Sequence, residues 1–93
     1  MTPSLRVIDG SKSGSFDGLI LEVTGISGSS DSKRVAVNLI DSAVVTAAGD
    51  EWMFVVKSHR GGFGVVISAE KKMEWDLLVQ EVNNVRKTLA AAI

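Results

Sequence analysis

Residues 51–68, EWMFVVKSHRGGFGVVIS, decide the fold. Over Glu51–Ser58 the side chains alternate, so Trp52, Phe54 and Val56 share one face of a strand while Met53 and Val55 take the other. His59-Arg60-Gly61-Gly62 has hairpin-turn chemistry, because glycine enters positive φ at no steric cost. Phe63–Ile67 then returns as a second strand with Phe63, Val65 and Ile67 aligned. Both faces of 51–58 are apolar, so one core does not account for all of it.

The chain changes period at Ser68. That residue is a natural N-cap, and Glu70 in the first turn suits the positive end of a helix dipole. Trp75, Leu78, Val82, Val85 and Leu89 follow at spacings of three and four, a single apolar stripe that predicts a helix over 69–92. Asp76, Glu81, Asn83, Asn84, Arg86 and Lys87 take the other sides, with Arg86 and Lys87 placed to complement the C-terminal dipole. Lys71-Lys72 reads as a solvated first turn.

Upstream of residue 51 the elements are shorter. Leu5–Asp9 reads as a strand and 10–15 (GSKSGS) as a loop by composition. Phe16-Asp17-Gly18 is a tight turn into a strand at 19–24, and 25–32 is a polar connection. Arg34–Leu39 alternates, with Val35, Val37 and Leu39 on one face. Asp41-Ser42 marks a turn. Ala43–Ala47 is β-branched enough for a strand, with a helix over 39–48 as the competing reading. The fold class is therefore mainly β with one C-terminal helix (α+β), a curved antiparallel sheet capped by that helix, in a single domain spanning 1–93.

Composition narrows the function. Ten Lys+Arg against eleven Asp+Glu give a net charge of −1, which argues against nucleic-acid binding by general electrostatic attraction. The same balance leaves little colloidal repulsion against self-association. With no cysteine, disulfide frameworks and thiolate metal sites are excluded. MTPSLR at the start has no apolar h-region, and no apolar run reaches the ~20 residues that cross a bilayer, so a cytoplasmic domain is expected.

The order of elements, with Phe16-Asp17-Gly18 opening a strand, a basic residue leading Val35–Leu39, further strands and a terminal helix, resembles a bacterial pleckstrin-homology-like (PH-like) domain from about Leu5 to Ile93. Six strands are legible, and the resemblance implies seven in a partly open barrel plugged by the helix. It also implies binding of lipid headgroups, peptides or other proteins rather than catalysis. The alternative fold is a profilin- or roadblock-like scaffold in which 39–48 is helical.

Two residue sets are candidates for function. In a simple meander the loop 10–18 and the turns 40–42 and 59–62 share one end, which brings Lys12, Lys57, His59 and Arg60 together as an anion-binding rim. Asp9, Asp17 and Asp41 would offset much of that charge. A membrane surface bearing anionic headgroups is the corresponding partner. Ile20, Met53, Val55 and Val66 form the second set, out of phase with the inward face, and exposed apolar groups of this kind mark interfaces. They point to a protein partner or a homo-oligomer. His59 is the sole histidine; Asp41, Ser42 and Ser58 could approach it, but their spacing alone gives no warrant for a triad or metal site, and Arg60-Gly61-Gly62 and Gly61-Gly62-Phe63-Gly64 read as hairpin rather than RNA-binding or phosphate-loop motifs. No cofactor and no enzymatic activity are expected.

Overall fold

The computed structural model describes residues 5–25, 32–59 and 61–91, and it is mostly β: two antiparallel sheets, of four strands and three, with one C-terminal helix. The first sheet holds β1 (Leu5–Asp9), β2 (Lys12–Phe16), β3 (Ile20–Thr24) and β4 (Ser32–Ala36) in chain order. The second holds β5 (Ile40–Ala48), β6 (Glu51–Ser58) and β7 (Gly61–Ile67), also in chain order. A 3-10 turn at Ala69–Lys71 leads into α1 (Lys72–Ala91). No helix among the described residues is long and apolar enough to cross a membrane.

Residues 12–16, expected as loop, form β2 and bring the strand count to seven. Lys-Ser-Gly-Ser-Phe has little β propensity, and its strand is made by tertiary contact. Gly14 lies on the inner face, paired with Val7 and Val23, under the indole of α1. A Cβ there would stand 2.7 Å from Trp75 Cζ3 and 2.9 Å from Leu78 Cδ2, so a glycine is what lets the helix seat on the sheet. The Phe16-Asp17-Gly18 turn forms as expected: Asp17 Oδ1 accepts hydrogen bonds from the Leu19 and Ile20 amides, both at 2.8 Å. Those two bonds, Ile20's foremost, hold the Asp17 carboxyl below its usual range.

The chain between the sheets also differs from the sequence reading. The strand expected over 34–39 stops at Ala36, and Val37–Leu39 is a 3-10 turn that sends the Val37 side chain into the core. The turn expected at Asp41-Ser42 is instead a bulge inside β5, between Ile40 and Ser42. The helix considered over 39–48 does not form: Leu39 ends the 3-10 turn, 40–48 is strand, and three successive β-branched residues from Val44 prevail. In the β6–β7 hairpin Ser58 pairs with Gly61 and Lys57 with Gly62, so both glycines, expected in the turn, belong to β7.

The inner faces of both sheets share one core with α1. Phe16, Leu21 and Val23 meet Phe54, Val56 and Val65, and Trp75, Leu78 and Val82 close it at 0% exposure. The Phe54 and Trp75 rings lie 5.2 Å apart at 35°. Truncating either to Ala removes ~3–5 kcal/mol by large-to-small arithmetic. Val85 packs partly on this core, whereas Leu89, expected on the stripe, is 40% exposed.

The polar side of α1 is structural too. Asn83 Nδ2 donates to Ala43 O at 3.1 Å, and Arg86 Nε donates to Ile40 O at 3.0 Å. Arg86 also donates to Asn83 Oδ1 and to the Asp41 carbonyl at the bulge. These bonds satisfy outward carbonyls of β5, an edge strand, and the helix covers that edge. Lys71 and Lys72, expected as solvated, pair with Glu74 at 3.1 Å and Asp76 at 2.8 Å, and Lys72 Nζ lies 4.5 Å from the Trp52 ring centroid.

Candidate functional site: the outer face of the three-stranded sheet

Strand alternation fixes which side chains of β5–β7 point away from the core. Phe54 pairs with Val45 and Val65, which lie on the inner side with it. The outward set is therefore Ser42, Val44, Thr46 and Ala48 on β5, Glu51, Met53, Val55 and Lys57 on β6, and Gly62, Gly64 and Val66 on β7. Val44 is 45% exposed, and Met53, Val55 and Val66 are half-buried. The helix packs on the other side, so it does not cover this face.

The face has relief. A shallow depression of about 580 Å³ runs along it, with Met53, Val55 and Lys57 on one side and Gly62 and Gly64 on the other. The glycines leave the β7 side low. A Cβ at position 64 would lie 2.9 Å from Met53 Cε, so the Met53 thioether leans over bare backbone there. Methionine is flexible and polarisable, and adapts to an incoming apolar surface.

Three of the four residues expected at an interface, Met53, Val55 and Val66, are brought together here: Met53 pairs with Val66 and Val55 with Gly64. Ile20 is not among them. It lies on the outer face of the other sheet, in a separate hollow with Arg6, Glu22 and Arg34, on the far side of the core. Val44 and Gly64 belong to the patch and went unread, because a strand register is needed to level β5 and β7 with Met53 and Val55.

The expected cationic rim does not assemble as drawn. Lys12 Nζ donates to Val66 O, at the end of β7 that leads into α1, and Val66 pairs with Met53. Lys57 stands four residues further along β6, roughly 13 Å at ~3.3 Å per residue. The unforeseen β2 is the cause, since one extra strand sends the 10–11 turn to the opposite end. His59 Nδ1 sits 2.9 Å from Asp41 Oδ1, at the Lys57 end. Arg60 lies outside the described residues.

At the Lys12 end a different network appears. Asp9 Oδ2 accepts from Ser68 N at 2.8 Å and from Trp75 Nε1 at 3.2 Å, tying β1 to the start of the helix. Burial pushes the Asp9 carboxyl up, but the bonds from Ser68 and Trp75 and the nearby Lys12 charge outweigh it, and its pKa is lowered. This carboxylate is a clamp between elements. Among the described residues no three His, Asp or Glu side chains cluster as metal ligands would.

No family model, curated protein or solved structure matches this chain.

Proposed function

We propose that the chain is a non-catalytic, PH-like binding or scaffold module that acts by protein–protein contact through the outer face of β5–β7. The observation that carries this reading is the apolar stripe Val44, Met53, Val55 and Val66 on a sheet face that α1 leaves uncovered. Four neighbouring apolar side chains, two of which (Met53 and Val55) line a depression with Gly62 and Gly64, suit a flat protein surface better than a small polar ligand. The four-plus-three strand order followed by a terminal helix supports the PH-like assignment, as a partly open barrel whose α1 fills the core between the sheets. With Lys12 bonded at the other end, anion recognition rests on Lys57 and on a His59 already facing Asp41, a weaker basis.

A photo-crosslinking residue placed at Val55, with one at Ile8 on the outer face of the first sheet as control, tests this. The expected result is a discrete protein adduct from position 55, absent from position 8 and lost when Met53→Lys is added. Equal labelling from both positions, or none from 55, contradicts it.

A further inference from the structure

We infer that the partner seated on this face is a second copy of the chain, packed sheet on sheet about a two-fold axis that crosses the strands; this rests on the reading of the face as a protein-contact surface. The register supplies the symmetry. Phe54 is level with Val45 on β5 and Val65 on β7, and marks a centre. On β6, Met53 and Val55 lie one step either side of it, and Glu51 and Lys57 three steps. A two-fold axis perpendicular to the strands lays β6 antiparallel on its counterpart. Met53 then meets Val55 of the second copy, and Glu51 meets its Lys57. Val44 falls opposite Thr46, and Val66 falls opposite Gly64, which has no side chain of its own and is flanked by the flexible Met53 methyl and a Val55 methyl.

Charge selects this axis. Glu51 and Lys57 are both exposed, and neither is used in an ion pair among the described residues. The other face-to-face arrangement, with the axis along the strands, sets Glu51 on Glu51 and Lys57 on Lys57, and like charges oppose it. Packed sheets are turned by ~30°, which shifts groups ~10 Å from the centre by about 5 Å, within reach of a lysine and a glutamate side chain. The footprint is small. Three strands at ~4.8 Å and six residues at ~3.3 Å cover roughly 15 by 20 Å, below the ~800 Å² per partner of a standard interface, so the dimer is weak and concentration-dependent. A net charge of −1 offers little resistance to it.

Sedimentation velocity at low salt, from micromolar to near-millimolar protein, tests the geometry, with circular dichroism to check that each variant is folded. The wild type is expected to pass from monomer to dimer. Glu51→Lys and Lys57→Glu each turn two attractive pairs into repulsive ones and weaken dimerisation about tenfold. An equimolar mixture of the two variants restores it, because each mixed pair is again Lys against Glu. Charge variants that dimerise like wild type while Val55→Lys abolishes the dimer overturn the two-fold arrangement and leave the face reading standing. A wild type that stays monomeric throughout overturns the second copy as partner, and the crosslinks from position 55 then decide the face reading separately.

Discussion

Replacing Gly14 by alanine probes the contact that seats the helix. The new Cβ would stand 2.7 Å from Trp75 Cζ3 and 2.9 Å from Leu78 Cδ2, and both side chains are at 0% exposure. Ordinary carbon–carbon contact is ~3.5–4.0 Å, so about 1 Å of displacement is required of a packed indole. Overpacking of this kind costs about 1–3 kcal/mol. Against it stands a gain of ~0.5–1 kcal/mol from a less flexible unfolded chain, since the strand needs no positive φ at this position. The net expectation is a loss of about 1–2 kcal/mol, seen as a melting temperature lower by roughly 5–15 °C for a domain of this size. Urea unfolding followed by tryptophan fluorescence gives the free energy, and calorimetry the temperature. A Gly14→Ala protein as stable as wild type, with an unchanged emission maximum, would refute the seating of α1 on β2.

Other outcomes follow from separate contacts. Asp9 has a lowered folded-state pKa, so its stabilisation is fully present above its unfolded value near 3.8 and is lost as pH falls through the folded value; Asp9→Asn should flatten that acid limb in urea titrations run from neutral pH down to pH ~3. Arg86→Ala leaves the Ile40 and Asp41 carbonyls short of a donor at the β5 edge and should cost about 1–2 kcal/mol, with faster amide exchange across β5–β6 pairing; Arg86→Lys, lacking the planar fork, should not restore it fully. Val44→Thr, on an exposed outer face, should change stability by no more than ~0.5 kcal/mol while weakening self-association in light scattering.

What could be read beforehand is explained by where each element draws its information. The helix from Ser68 and the β6–β7 hairpin carry it locally, in period, cap and alternation, and both form where expected, except that Gly61 and Gly62 pair within β7 instead of turning, α1 begins at Lys72 after a 3-10 turn, and Leu89 is exposed. β2 carries almost none: Ser13, Gly14 and Ser15 make a strand because Trp75 needs a side-chain-free surface above Gly14. Missing that strand inverted the predicted meander and placed Lys12 at the wrong end, a topological error from a single glycine. Arg86 reads from sequence only as a complement to the helix dipole, since nothing in its neighbourhood signals the β5 bulge it satisfies. Met53, Val55 and Val66 are legible beforehand, because apolar residues out of phase with their strand's inward face are visible without a register, whereas Val44 and Gly64 need one. Ile20 shares the phase of Met53, Val55 and Val66 but not their sheet, and phase does not say to which sheet a strand belongs.

The most direct measurement is an amide chemical-shift map recorded over a concentration series. Dimerisation through the outer face predicts concentration-dependent shifts at Val44, Glu51, Met53, Val55, Lys57, Gly64 and Val66, with Ile8, Ile20 and Glu22 on the opposite sheet unmoved. Shifts confined to the first sheet or to the exposed side of α1, or a spectrum independent of concentration, would contradict it.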